Sequence, residues 1–361
     1  MLICDQHPDN RSITVGVLGE PNVGKSSLIN YLLGHDLSAV TAKAQTTRNQ
    51  FHCVYHIDRV EVILVDTPGL HNSAQELNRR MNQESLDAPT RTDINLLIID
   101  ATKNIGHQLA IFADKFNLVT IPQGLSIDQR TWLRSQLKSE REDLRSIVTA
   151  NLWVVFNKSD LVGMEGMKEV FTQEVAAFFP GKVEKFFFVS ALTGDGVHEL
   201  TSEIYDRAPS AAHTYPDGSM SNKNERFFVC EYIREQAFML LHEEVPYELA
   251  VVIDRFEDFR DEKDAKIAVH IDATIVVNRP SQRGIVVGKG GAVIKDIGTK
   301  ARTRIESLLG GKVYLNLHVK VIPRWFRNNN VLEQVGLRRA KDSIRVWRKR
   351  EGGQVEHVRH V

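Results

Sequence analysis

The sequence Gly19-Glu20-Pro21-Asn22-Val23-Gly24-Lys25-Ser26-Ser27 follows directly on the apolar run 13–18. Glycines at its first and sixth positions let consecutive backbone N–H groups converge on a phosphate, and a following helix adds the positive end of its dipole. In a GxxxxGK[ST] pattern of this kind, Lys25 would bridge the β and γ phosphates of a nucleotide and the Ser26 hydroxyl would bind Mg²⁺. Leu28, Ile29, Leu32 and Leu33 supply an apolar helical face immediately afterwards. A glycine turn before an ordinary helix is the plain alternative, and the other loops decide between the two.

Asp66-Thr67-Pro68-Gly69 ends the run 60–65, about forty residues after the phosphate loop. A carboxylate there can hold Mg²⁺ through water, and the Gly69 N–H can reach a γ-phosphate. Asn157-Lys158-Ser159-Asp160 ends the run 152–156. The Asp160 carboxylate can accept from guanine N1–H and N2–H₂ together, whereas adenine would leave it facing a lone pair, an unpaired buried charge that rejects the wrong base. Asn157 would tie this loop to the base and the phosphate loop, with the Lys158 stem over the base face. Ser190-Ala191, after 186–189, would offer backbone N–H groups to guanine O6. In Gln45-Thr46-Thr47-Arg48, a threonine completes the Mg²⁺ shell when the γ-phosphate is present, Thr47 being favoured over Thr46. Loss of that phosphate would free the segment as an order–disorder switch. Lys25, Thr47 and Gly69 are thus the candidate catalytic residues for GTP hydrolysis.

The elements that must carry these loops are short apolar runs at 13–18, 60–65, 95–99, 152–156 and 186–189, separated by helical stretches. The pattern predicts an α/β fold with a mainly parallel sheet covered on both faces, its ligand beyond the carboxyl ends of the strands. A polar stretch at 121–149 reads as a surface insertion. Residues 208–224, with Ala208-Pro209-Ser210 and Tyr215-Pro216-Asp217-Gly218-Ser219, read as a linker. Beyond it, 267–275 and 313–321 alternate apolar and polar residues with period two, which predicts one-face-buried strands of an antiparallel sheet. Between them Ala292–Leu309 has helical spacing. The expected second unit is a smaller α+β domain ordered helix, strand, strand, helix, helix, strand. It carries Gly288-Lys289-Gly290-Gly291 between two helices, the KH arrangement, in which a bare turn approaches the backbone of about four nucleotides. Lys289 and Lys295 would contact RNA phosphates. The domain reading is 1–207 for the nucleotide domain, 208–224 for the linker and 225–361 for the KH-type domain with a basic tail.

The 361 residues balance 46 Lys and Arg against 46 Asp and Glu. That neutrality hides an asymmetry: from Ser281 onward there are 18 basic against 6 acidic residues, a balance of +12, leaving −12 for residues 1–280. A solvated basic tail is one reading; an anionic contact surface is the sharper one. No apolar run approaches the roughly 18 residues of a membrane helix. The start of the chain predicts no secretory signal. Three scattered cysteines, Cys4, Cys53 and Cys230, argue against a disulfide scaffold or zinc ribbon and for a reducing cytoplasm.

Taken together, GEPNVGKSS, KAQTTRNQ, DTPGLH, NKSD and SALTGDG resemble the Era family of bacterial GTPases. The likeness extends through Val245-Pro246-Tyr247-Glu248 and Lys320-Val321-Ile322-Pro323-Arg324-Trp325, covering roughly 13–339, and lapses within 100–157 and in the tail. It implies a P-loop GTPase domain followed by a KH domain, with binding near the 3′ end of small-subunit (16S) ribosomal RNA during 30S assembly. It further implies a monomer with a loose association with the inner membrane. Leu70 stands where Ras-like enzymes carry a water-orienting glutamine, which implies slow intrinsic hydrolysis. Asn22 stands where some relatives ligate an activating K⁺, with a loop-shaping turn residue as the alternative. Two competing functions remain: a GTPase coupled to RNA modification, for which no second reactive cluster is visible, and a basic domain that docks on a protein or acidic lipid surface.

Overall fold

The computed structural model describes residues 7–41, 43, 47–69, 92–115, 151–163, 165–260 and 267–336. The expected insertion at 121–149, Gln45, Thr46, Leu70 and the basic tail from 337 lie outside them. Two sheets carry the chain. The first is built from β1 (Arg11–Leu18), β2 (Phe51–Ile57), β3 (Val60–Asp66), β4 (Ile94–Asp100), β5 (Leu152–Asn157) and β6 (Val183–Phe188), in the order β2-β3-β1-β4-β5-β6. Every pairing is parallel except β2 with β3. Helices α1 (Lys25–Leu33), α2 (Ile105–Lys115), α3 (Met167–Phe178) and α4 (Val197–Arg207) belong to this unit. β3 and β4 are buried along their whole length, which is why they read as apolar runs broken only at Glu61 and Asn95 before their terminal aspartates.

The second sheet has the order β7-β8-β9, from β7 (Ala250–Asp258), β8 (Val269–Val277) and β9 (Val313–Val321). α5 (Glu225–Leu240) precedes it, α6 (Pro280–Val287) and α7 (Ala292–Leu309) join β8 to β9, and α8 (Asn329–Gln334) follows. The element order matches the expected one, but the strand direction does not. β7 pairs with β8 antiparallel, while β8 and β9 are parallel in unbroken register from Val269↔Val313 to Val277↔Val321. The crossover through two helices requires that direction. The period-two alternation reports burial of one face, not strand polarity: Val269, Ile271, Ala273 and Ile275 are fully buried while His270, Asp272 and Thr274 are half-exposed.

The expected linker is not a free tether. Ser12 N donates to Pro209 O, Ala211 N to Asn10 O and Val54 N to Met220 O. Both oxygens of the fully buried Glu61 carboxylate accept backbone N–H groups of this segment, from Thr214 and Tyr215. Residues 208–224 therefore run from the start of the inner strand β1 past β3 to the outer strand β2.

One hydrophobic cluster runs through both units. Phe51 meets Phe227 and Phe228 with ring centroids 5.4 and 5.7 Å apart. The polar seam beside it is made by residues 36–49. Arg48, 4% exposed, donates to Leu249 O at 2.6 Å, Pro246 O at 3.2 Å and Tyr247 O at 3.1 Å. Asn49 Nδ2 donates to Val335 O at 2.9 Å, and Val40 N to Glu235 Oε1 at 2.7 Å. Arg304 of α7 pairs with Glu235 and donates to Asp36 O at 2.8 Å and Ser38 O at 3.1 Å. A cleft of about 370 Å³ opens beside Arg48 and Arg234. Among the described residues no helix is long and apolar enough to cross a membrane.

Arg48→Met keeps an apolar stem beside Phe238 but strands three carbonyls. It should destabilise the junction by about 2–4 kcal/mol. Hydrogen–deuterium exchange at 245–249 should rise accordingly, and unchanged protection there would show that the guanidinium does not hold the seam.

Candidate nucleotide site and nucleic-acid interface

Parallel registration brings the ends of four strands to one edge of the first sheet: Val17 lies beside Asp66, Leu18 beside Leu97 and Asp100 beside Asn157. The phosphate loop leaves β1 there and turns through Gly24 at φ 97°. A Cβ on Gly24 would come within 2.1 Å of Asn157 Nδ2, so backbone shape and space both demand glycine. Asn157 is the knot of the site. Its Nδ2 donates to Val23 O at 2.8 Å and its Oδ1 accepts from Ala191 N at 3.0 Å, so one buried amide joins three loops. The Ala191 N–H expected to face guanine O6 is thus engaged by Asn157, while Ser190, fully buried, anchors its loop through Ser190 N to Asp195 O.

Lys158, in the left-handed region at φ 64°, reaches back across the loop. Its Nζ donates to Asn22 O at 3.0 Å and to Asp100 Oδ2 at 2.7 Å. Asp100 is a site residue that the sequence reading missed. Burial acts to raise its pKa, but the Lys158 ammonium and the Thr102 hydroxyl and amide outweigh it, so the carboxyl is held below the usual range. The available signal was a carboxylate ending a buried strand, the same signal that marked Asp66. Asp160 sits at the surface one turn on, with no hydrogen-bond partner among the described residues, free to accept two donors.

Lys25 is 6% exposed and donates from Nζ to Gly19 O at 3.1 Å and Glu20 O at 2.8 Å. Burial pushes its pKa down, against the pull of the Asp66 and Glu20 carboxylates. Burial likewise pushes Asp66 up, against Lys25. A buried ammonium that meets only carbonyl oxygens is poised to gain from an anionic ligand. Ser26 Oγ lies 3.2 Å from Thr47 Oγ1 and 3.5 Å from Asp66 Oδ2, and Asp66 Oδ1 is buried with no hydrogen-bond partner among the described residues. Three hard oxygen donors with one orphaned carboxylate oxygen fit Mg²⁺. Thr67 Oγ1 donates to Val17 O at 2.6 Å, pinning the turn that brings Gly69 against Pro21. Thr47 and Gly69 line one cleft with Pro21, Asn22, Gly24, Lys25, Ser26 and Ser27. Asn22 itself is exposed at φ 64°, a turn-shaping conformation.

In the second unit, α6 ends at Gly288, and Gly290 and Gly291 take φ 61° and 79° before α7 begins. A Cβ on either Gly290 or Gly291 would meet nothing within 4 Å, so the turn faces open space. Lys289 and Lys295 are exposed beside it, as is Ile285 at the end of α6. The result is a bare backbone turn flanked by cations and one apolar side chain, a surface suited to a single-stranded phosphate backbone.

Residues 14–158 match the family described as 50S ribosome-binding GTPase, and 244–326 match the KH domain. GTPase Era of Syntrophus aciditrophicus (strain SB) is 33% identical over 327 residues, spanning 89% of this chain and 94% of its own length. GTPase Era of Geotalea uraniireducens (strain Rf4) is 34% identical over 326 residues, spanning 90% and 97%. Among solved structures, Era in complex with MgGDPNP and nucleotides 1506–1542 of 16S ribosomal RNA superposes with a TM-score of 0.75 at 28% identity, covering 91% of this chain and 99% of that one. A variant of Aquifex aeolicus Era bound to GDP.AlF4- gives 0.72, also at 28% identity.

Asp160→Asn replaces a two-acceptor carboxylate by an amide that presents a donor to guanine. The preference for GTP over ATP in a competition assay should fall by about a hundredfold or more. An unaltered preference would remove Asp160 from base recognition.

Proposed function

Because the chain belongs to the Era family of GTPases, we propose that it is a GTP-hydrolysing, RNA-binding switch that binds 16S ribosomal RNA near its 3′ end and assists 30S subunit assembly. The observation that carries this reading is the presence, in one chain, of a guanine-type loop set and a bare lysine-flanked turn, joined by residues 36–49. Its relative of known structure holds MgGDPNP and 16S nucleotides together. The chain divides into a GTPase domain at 1–207, a connecting segment at 208–224 and a KH-type domain at 225–361.

In the nucleotide site, the backbone of Gly19 to Ser27 encloses the phosphates. Lys25 exchanges its two carbonyl partners for phosphate oxygens, which returns its buried charge to an anionic partner. Mg²⁺ would be held through Ser26, Thr47 and Asp66 and would supply charge neutralisation at the transferring phosphate. The Gly69 N–H hydrogen-bonds the γ-phosphate, so hydrolysis to GDP and phosphate removes the reason for Gly69 and Thr47 to stay together. Asp160 accepts from guanine, with Lys158 held over the base by Asp100 and the Ser190-Ala191 loop beside it. Leu70 has no group that orients water, so the intrinsic rate is expected to be slow, and Asn22 is the residue that would ligate an activating K⁺. Lys289 and Lys295 hold RNA phosphates around Gly288, Gly290 and Gly291. The protein acts as a monomer in the cytoplasm, loosely peripheral to the inner membrane.

The test is filter binding of an RNA matching the 16S 3′ end against a scrambled RNA, at fixed salt, with a nonhydrolysable GTP analogue and then GDP. Preferential, nucleotide-dependent binding is expected. Equal binding of both RNAs in both states would overturn the reading and leave a GTPase with a docking domain. Gly290→Asp projects a carboxylate into open space at a φ that Asp tolerates. It should lower RNA affinity about tenfold or more while GTP hydrolysis stays within about twofold. Parallel loss of both activities would contradict the separation of the two sites.

A further inference from the structure

A second cluster of potential ligands lies outside the nucleotide site, where the 208–224 segment crosses the outer strand β2. One donor atom each from His56, His213 and Asp217 lies within 4.8 Å of the other two. His56 is the penultimate residue of β2, and the other two come from the crossing segment. The imidazole rings stand 5.0 Å apart at 52°.

The tautomer of His213 is set by its neighbour. Its Nε2 lies 3.1 Å from Arg59 O, and a carbonyl can only accept, so Nε2 carries a proton and Nδ1 is the nitrogen left to bind a metal. His213 is 6% exposed, and Nδ1 is buried with no hydrogen-bond partner among the described residues. His56 Nε2 is also buried without one; the Glu61 Oε1 atom near it is 3.9 Å away, beyond hydrogen-bond reach. Two imidazole nitrogens orphaned side by side are unusual in a folded chain, where buried polar atoms are otherwise satisfied. An imidazole whose remote N–H is fixed by a backbone carbonyl, with its other nitrogen bare, is the arrangement in which histidine ligates metals.

We propose that His56, His213 and Asp217 bind a divalent transition-metal ion of the Zn²⁺ class, which clamps the 208–224 segment onto β2. Two imidazoles and a carboxylate select Zn²⁺, Co²⁺ or Ni²⁺ over Mg²⁺, which prefers an all-oxygen shell. Three protein ligands leave a fourth position to water. Donors around bonds of about 2.0–2.1 Å stand roughly 3.4 Å apart in a tetrahedral shell, so the three need to draw in by at most about 1.4 Å. Asp217 is exposed in a turn and can make that move. Charge also favours a cation here, because the adjacent and fully buried Glu61 accepts its hydrogen bonds, among the described residues, from the neutral Ser12 Oγ and the Thr214 and Tyr215 amides. The clamp would hold the connection between the two units without touching the guanine loops.

The full-length protein is stripped with chelator, kept in excess Mg²⁺ without nucleotide, and titrated with Co²⁺ while visible absorption is followed. One equivalent of Co²⁺ giving the intense spectrum of four-coordination, displaced by Zn²⁺, is expected. Asp217→Asn, at an exposed position, should weaken binding by about tenfold or more, and His56→Gln should abolish the spectrum. Zn²⁺ should raise the thermal midpoint of the native sequence and not that of His56→Gln. His357→Gln with His360→Gln, which removes the tail histidines, should leave binding intact. No stoichiometric binding, or binding that survives both Asp217→Asn and His56→Gln, would overturn the proposal, as would binding lost with the tail pair.

Discussion

The arrangement of this molecule depends on a buried guanidinium. Arg48 reaches out of the first unit and donates to three carbonyls of the turn at 246–249 in the second. A guanidinium stays charged when buried, so those carbonyls and the Phe238 ring beneath it must replace its hydration. If the two units moved apart, the charge would regain water and the carbonyls would too; while they are together, neither side tolerates a partial contact. One peptide bond before Arg48 stands Thr47, whose hydroxyl lies 3.2 Å from Ser26 Oγ. The residue that faces the phosphate loop and the residue that fastens the second unit are therefore covalent neighbours.

Much of the nucleotide site was legible because its residues sit where parallel strands end, and strand ends are marked by a change from apolar to polar or glycine residues. Gly19 after Leu18, Asp66 after Val65 and Asn157 after Phe156 all announce themselves in this way. Asp100 ends β4 by the same rule, yet no neighbouring motif pointed to it; its role emerges only from the Lys158 ammonium 2.7 Å away. β2 escaped notice because it is an outer strand whose His52, Tyr55 and His56 break the apolar run, and because it pairs antiparallel to β3 where the others are parallel.

The remaining misreadings share a cause, which is that local pattern reports burial and not partners. Alternation in β8 and β9 correctly located a one-sided sheet but carried no information on direction, which the α6–α7 crossover decides. Low hydrophobicity at 208–224 marked a linker but not its contacts, which include backbone amides donating to the buried carboxylate of Glu61, the lone acid within the run 60–65. Arg48 likewise stood in plain view inside a threonine-rich loop. Its acceptors lie about two hundred residues away, a separation that no periodicity spans.

A switch needs an element that both sites bias, and the geometry narrows where that element must be. α7 begins at the glycine turn beside Lys289 and, about 18 Å along its axis, carries Arg304, which donates to Asp36 O and Ser38 O. α5 touches the same segment from the side, accepting Val40 N through Glu235 and the Lys43 ammonium through its Phe238 carbonyl. The second unit holds this segment at Asp36, Ser38, Val40, Lys43, Arg48 and Asn49, while Thr47 faces the phosphate loop. Thr47, Arg48 and Asn49 are consecutive, so a displacement of Thr47 would load the Arg48 and Asn49 contacts. The contacts at Asp36 and Ser38 are made by backbone carbonyls and so do not depend on the side chain at either position.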